Sequence, residues 1–236
     1  MRASEFRAWG RASLAGKWGT AVAVCLVGGL LGGGIDLVSE VLNSEVEGVS
    51  MEWLTRENWI MMVTITVVSI ILALVIGGAI ILGMSTFFLN LVNRREARFG
   101  DLFSQFHRLW AGICMMFLQS FFIMLWTLLL IVPGIVAGYR YAMMPYLMAE
   151  FPELTARQAM AESKRLMDGN KWRLFCLHLS FIGWALLSAL TLFIGDLWLT
   201  PYRMASEAAF YMEITGRGPN ARQTPDSFDL ISETNL

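Results

Sequence analysis

Long apolar segments separated by short polar ones dominate the chain, and their lengths predict transmembrane helices. A helix rises about 1.5 Å per residue, so about 20 apolar residues cross the hydrocarbon layer of a membrane. Six segments qualify as candidates, although the second exceeds one straight crossing and the fourth and sixth are the least apolar. They are Trp18–Val38, a span within Trp59–Val92, Ala111–Val132, Ile135–Ala149, Leu174–Phe193 and Leu197–Ile214.

The distribution of lysine and arginine favours six crossings over four. Short loops rich in these residues stay in the cytoplasm. Residues 1–17 and 93–108 hold four each and residues 151–173 hold five, whereas residues 43–58 hold one. With six spans every basic segment and both termini are cytoplasmic, but with four the segment 151–173 would face outside. The apolar run from Trp18 to Leu31 leads into three glycines without a small-residue cleavage site, so we interpret it as part of a span and not as a signal peptide.

The hydrophobic pattern also repeats, which predicts three hairpins, each preceded by an amphipathic helix at the membrane interface. The modules cover about 1–92, 93–150 and 151–214, and together they form a single transmembrane domain, 1–214. A polar tail, 215–236, is expected to be disordered. Each outgoing helix begins with a cation near a tryptophan, the usual anchors at the headgroup level. The anchors are Lys17 and Trp18, Arg108 and Trp110, and Lys171 and Trp172.

The amphipathic stretch before the third hairpin has the clearest local signals. Thr155 and Gln158 form a capping box, and Gly169 marks the end of the helix. Small and apolar residues follow helical spacing along one stripe, at Ala156, Ala159, Met160, Ser163 and Met167.

Composition agrees with a membrane protein and excludes other classes. Hydrophobic residues make up 56% of the chain and charged residues 16%, against about 25% charged in soluble domains. The net charge of −1 argues against nucleic acid as a partner. The cysteines are isolated in apolar segments, so we expect neither a disulfide framework nor a zinc site. The expected partners are the bilayer with its anionic lipids, and a second copy of the chain or another membrane protein.

Two arginines inside predicted spans are candidate functional residues, because ionisable groups are costly in a membrane. Tyr139-Arg140 and Tyr202-Arg203 occupy matching positions of the second and third modules. One hypothesis is a polar cavity between helices four and six for an anionic solute, a lipid headgroup or a peptide carboxylate. The other hypothesis is structural, with the arginines paired to Asp36, Asp196 or Glu207.

Glycines in the first span form overlapping G-x-x-x-G motifs, in which two glycines are four positions apart. Such motifs allow membrane helices to approach closely. Packing within the chain and a homodimer face are both open interpretations. The residues are Gly28, Gly29, Gly32 and Gly33.

Sequence motifs for catalysis, metal binding and cofactor binding are lacking. His107 and His178 have no evident partner in sequence. We therefore expect a protein that is not an enzyme and uses no cofactor. Transport or export is the leading hypothesis, and a membrane-organising scaffold that binds anionic lipid is the alternative. A histidine or serine converging with a carboxylate at one depth of the structure would favour an intramembrane enzyme.

The segment Pro133–Tyr211, which begins PGIVAGYRYAMMPYLMAEF, carries a family resemblance. Together with Phe99–Phe106 and the Lys17-Trp18 start, it resembles the bacterial integral membrane proteins known as domain of unknown function 975. The resemblance covers nearly the whole chain before the tail. It implies a multi-pass protein of the bacterial cytoplasmic membrane and supplies no catalytic residues.

Overall fold

The computed structural model describes residues 2–31, 56–191 and 194–218, and every regular element in these ranges is helical. The predicted all-α class is therefore confirmed. The helices are α1 Ala3–Leu14, α2 Trp18–Leu31, α3 Arg56–Val92, α4 Leu109–Leu129, α5 Ile131–Tyr141, α6 Met144–Glu150, α7 Ala156–Leu166, α8 Lys171–Leu179, α9 Ile182–Leu190 and α10 Asp196–Ile214, with 3₁₀ turns at Phe99–Phe103 and Phe106–Arg108.

Three stretches of the described chain are long and apolar enough to cross a membrane. They are Val75–Val92, Phe99–Leu129 and Lys171–Leu190. The pair α1 and α2, bent by 102°, would make a fourth. The predicted fourth span is divided into α5 and α6, and the sixth is α10, which holds Pro201. Six spans and their arrangement as hairpins thus remain a prediction.

Helix α1 packs along the second half of α10. The rings of Phe6 and Phe210 meet at 5.2 Å, and Gly10 lies against Ser206. Arg11 contacts Tyr202, so the two helices run antiparallel. Phe6, Gly10 and Leu14 are spaced by one helical turn and are all buried. The apolar stripe of α1 therefore packs on protein.

Helix α7 has the local structure that its sequence predicts. The Gln158 amide N–H donates to the Thr155 hydroxyl, completing a capping box, and Gly169 adopts φ +74° after the helix. The helix contacts α4, α5 and α6. All five residues of the predicted stripe are buried, so this amphipathic face also meets protein. Its placement at the membrane interface remains a prediction.

The structure divides into a well-packed half and a half with exposed apolar helices. In the well-packed half, Gly78 of α3 and Gly112 of α4 meet backbone to backbone, so that a Cβ on Gly78 would lie 2.5 Å from the Gly112 carbonyl carbon.

In the other half, α4 after Gly112 and α9 expose many large apolar side chains. Lipid would cover this surface. The exposed side chains include Phe117, Phe121, Met124, Leu125, Leu128, Leu129, Ile182, Trp184, Leu186, Leu187 and Leu190.

Candidate functional site

Three polar side chains converge on the carboxylate of Glu207 in α10, and a fourth joins through one of them. His178 Nε2 lies 3.0 Å from Oε1, and Arg203 Nε lies 3.7 Å from the same oxygen. The Tyr146 hydroxyl donates to Oε2 at 3.4 Å. The second ring nitrogen of His178 lies 3.3 Å from the Tyr139 hydroxyl. We refer to these five residues as the Glu207 cluster.

The antiparallel packing of α8 and α10 places His178 beside Glu207. Along the two helices Arg173 pairs with Glu213 and Phe181 with Tyr202, on either side of this contact. His178 lies roughly 10 Å of helix after the start of α8, and Glu207 lies roughly 10 Å before the end of α10. The two side chains therefore meet at one depth of the helix pair.

Aromatic rings from α5, α6 and α8 surround the cluster. Tyr139 packs edge-on against Phe175 at 5.9 Å, and Phe175 stacks on Trp172 at 5.0 Å. Tyr146 is buried and stacks on Tyr211 at 5.7 Å. This packing restricts both tyrosines, which orients their hydroxyl groups toward His178 and Glu207.

The cluster is open on one side. The exposed side-chain fraction rises from 21% at Glu207 to 33% at His178 and 53% at Arg203. The imidazole connects a carboxylate to a phenol, with a nitrogen facing each. Such a series of hydrogen bonds can pass a proton from one group to the next. The guanidinium of Arg203 retains N–H groups that can bind an oxyanion.

A second set of ion pairs holds the far end of α10. Arg217 pairs with Glu150 of α6, with Nη2 at 2.6 Å from Oε2, and the Tyr211 hydroxyl donates to the same oxygen at 2.7 Å. Burial lowers the pKa of Arg217, but its hydrogen bonds to Glu150 and the carboxylate charge outweigh burial and raise it. Arg173 Nη2 lies 2.8 Å from Glu213 Oε1. These pairs fix α10 against α6 and α8.

The structure brings together some of the predicted site residues and separates others. Arg203 pairs with Glu207, one of the predicted partners. Arg140 is half-buried, and its carbonyl oxygen accepts from Ser163; within the described ranges its side chain forms no ion pair. Tyr202 contacts Arg11, away from the cluster.

The predicted acidic partners other than Glu207 do not join the described site. Asp196 is exposed in the first turn of α10, and no arginine of the described chain pairs with it. Asp36 lies outside the described residues.

The predicted glycines and anchors have mixed environments. Gly28 packs on Met84 of α3, whereas a Cβ on Gly29 would meet nothing within 4 Å. Gly32 and Gly33 lie outside the described residues. Trp110 and Trp172, at matched positions, are 76% and 71% exposed. The cations of the three predicted anchors contact protein groups: Lys17 the Arg95 carbonyl, Arg108 the Met148 and Pro152 carbonyls, and Lys171 the Asp168 carboxylate.

Two residues of the cluster, His178 and Tyr146, had no predicted role. Their partners lie 29 and 61 positions away in the chain, so no local spacing connects them. One signal was available in the sequence, because all five tyrosines lie in the predicted helices four and six: Tyr139, Tyr141, Tyr146, Tyr202 and Tyr211. Across the described ranges, no group of three or more His, Cys, Asp or Glu residues could hold a metal ion.

Comparison with known sequences identifies a family. The model of the family described as protein of unknown function (DUF975) matches residues 1–137 and 128–218. No curated protein and no solved structure matches the chain. Since the two matched segments together cover residues 1–218, the chain belongs to the DUF975 family.

Proposed function

We propose that this protein spans the bacterial cytoplasmic membrane six times, with both termini in the cytoplasm. Three span-capable stretches and the exposed apolar faces of α4 and α9 support a membrane location. The basic loops support the orientation. Helices α5 with α6 and α10 complete the six spans, since their polar residues face protein partners in the Glu207 cluster.

We further propose that the protein transports a small solute coupled to proton movement, and that the Glu207 cluster is the coupling site. The observation that carries this proposal is the series of hydrogen bonds Tyr139–His178–Glu207, which joins α5, α8 and α10. Chains of carboxylate and histidine inside helical membrane proteins are the usual proton relays of pumps and transporters.

The solute is expected to carry a carboxylate or phosphate. Arg203 Nε lies 3.7 Å from Glu207 Oε1, which is longer than a hydrogen bond, and the side chain of Arg203 is half exposed. The planar guanidinium binds such oxyanions through paired N–H groups. A solute that takes the guanidinium away from Glu207 would leave that carboxylate to accept a proton, which couples the two events.

The test is solute-evoked proton movement into proteoliposomes that contain a pH-sensitive dye, screened over small carboxylates and phosphates. Internal pH is the readout because one proton carried with a monoanion moves no net charge. Wild type is expected to change the internal pH with at least one solute, and Glu207→Gln is expected to abolish the change. Glu153→Gln is the matched control, because Glu153 is exposed outside the cluster. Equal pH changes with wild type and Glu207→Gln, or no pH change with wild type and any solute, would overturn the proposal.

An intramembrane enzyme is the second candidate, and the convergence of His178 with Glu207 favours it. Histidine held by a carboxylate is the general base of many hydrolases. However, the hydrogen-bond partners of His178 in the described chain are Tyr139 and Glu207, and neither is a serine or cysteine nucleophile. We therefore place transport first. A scaffold that binds anionic lipid through the exposed Arg94, Arg95 and Arg98 ranks third.

A further inference from the structure

A cavity of about 470 Å³ lies between the start of α2 and helices α9 and α10, apart from the Glu207 cluster. Its size is typical of small-molecule sites, about 300–1,000 Å³. The walls are mainly apolar, and the side chains of Trp184, Leu187 and Trp198 are also half exposed at the surface. The cavity therefore opens toward the face that lipid would cover.

One end of this cavity is cationic. Arg11 lines it and donates through Nη2 to the Tyr202 hydroxyl at 3.2 Å, with the guanidinium 5.5 Å from the centre of the same ring. No carboxylate of the described chain pairs with Arg11. The guanidinium thus has further N–H donors for an anion.

The other end of the cavity is closed by Ser188 and Gly195. Ser188 is 4% exposed, and its Oγ packs against Gly195, where a Cβ would lie 3.1 Å from it. From Tyr202 to Gly195 the α10 wall extends roughly 10 Å, which is long enough to lie along part of an acyl chain.

We propose that this cavity binds an anionic membrane phospholipid, with the phosphate on Arg11 and an acyl chain along α9 and α10. A cation at one end and an open apolar wall at the other match the two parts of such a molecule. Trp18, a residue type that favours the headgroup level, lines the same cavity. This site is independent of the proposed transport function.

The test measures binding of phosphatidylglycerol and phosphatidylcholine with identical acyl chains to the full-length protein, by native mass spectrometry in detergent. Wild type is expected to retain phosphatidylglycerol in preference to phosphatidylcholine. Arg11→Gln should weaken phosphatidylglycerol binding by about tenfold or more, because charge-assisted hydrogen bonds are lost. Arg11→Lys should keep part of the preference. Leu187→Trp, which fills the apolar part, should weaken binding of both lipids.

The control is Arg157→Gln, which removes an exposed cation of α7 outside the cavity. Equal losses in Arg11→Gln and Arg157→Gln would show a general charge effect and overturn the proposal. Wild type that binds the two lipids equally would overturn it as well. Unchanged lipid binding by Leu187→Trp would also overturn it. That result is expected if another segment of the chain fills the cavity. Melting temperature and gel filtration verify that each variant is folded.

Discussion

His178 Nε2 lies 3.0 Å from Glu207 Oε1, although the two residues are 29 positions apart in the chain. This contact joins α8 to α10 inside a helical assembly with large exposed apolar faces. Through its other ring nitrogen, His178 extends the contact to Tyr139 of α5. A group that gains or loses a proton here changes the bonding of three helices at once. The contact is therefore the structural basis of the proposed coupling.

Substitution of Arg203 tests its role in binding an oxyanion. Arg203→Ala should lower the solute-evoked proton movement by about tenfold or more, since hydrogen bonds from a charged group are lost. Arg203→Lys should rescue poorly, because an ammonium lacks the planar fork of the guanidinium. Arg140→Ala tests the position matched by the repeat and is expected to impair transport too. If both alanine variants insert, assemble and transport solute like wild type, the two arginines have no functional role.

Loss of the Glu150 carboxylate should destabilise the end of α10. Glu150 binds both Arg217 and Tyr211 and is 17% exposed. Glu150→Gln is expected to reduce the free energy of unfolding by about 1–3 kcal/mol, the range for hydrogen bonds to charged groups. Thermal denaturation in detergent measures the effect. The control is Glu96→Gln, because Glu96 and its partner Arg98 are mostly exposed and should contribute less than about 0.5 kcal/mol. Equal shifts in the two variants would contradict the assigned role.

The crossing of α3 and α4 depends on the absence of a side chain at Gly78. A Cβ there would lie 2.5 Å from backbone of Gly112, so Gly78→Ala must push the helices apart. Overpacking of this kind costs about 1–3 kcal/mol. Gly138→Ala is the control, since a Cβ there meets nothing within 4 Å and alanine favours a helix by up to about 1 kcal/mol. Lower stability of Gly138→Ala than of Gly78→Ala would rule out this crossing.

The six-span topology can be tested by the accessibility of single cysteines. In a background with Cys25, Cys114 and Cys176 replaced by alanine, Asp196→Cys should react with a membrane-impermeant thiol reagent in intact cells. Glu153→Cys should react only after permeabilisation. Both positions are exposed in the structure, so burial does not limit either reaction. Labelling of Glu153→Cys in intact cells would contradict the proposed orientation.

Local signals in the sequence predicted much of the helical structure. The capping box at Thr155 and the stop at Gly169 were predicted correctly, because both depend on residues within a few positions of each other. The predicted fifth helix is instead interrupted between α8 and α9. At the break, the Ser180 hydroxyl bonds the Leu177 carbonyl, and such side-chain bonds compete with helical ones.

Contacts between helices could not be predicted in the same way. The predicted helices four and six supply Tyr146 and Glu207 to one cluster. The histidine of the cluster comes from α8. Which residue of α8 meets Glu207 depends on how α8 and α10 align, and no spacing along the chain reveals that alignment. The amphipathic stripe of α1 was equally ambiguous, because a stripe that could face lipid packs on α10 just as well.

The most direct test of the central claim compares solute counterflow with uptake driven by an imposed proton gradient, in proteoliposomes that contain Glu207→Gln. Counterflow requires only that solute binds and crosses, whereas gradient-driven uptake requires the coupling site. We predict that Glu207→Gln retains counterflow and loses uptake driven by the proton gradient, while Glu153→Gln retains both. Gradient-driven uptake by Glu207→Gln at the wild-type rate would contradict the account.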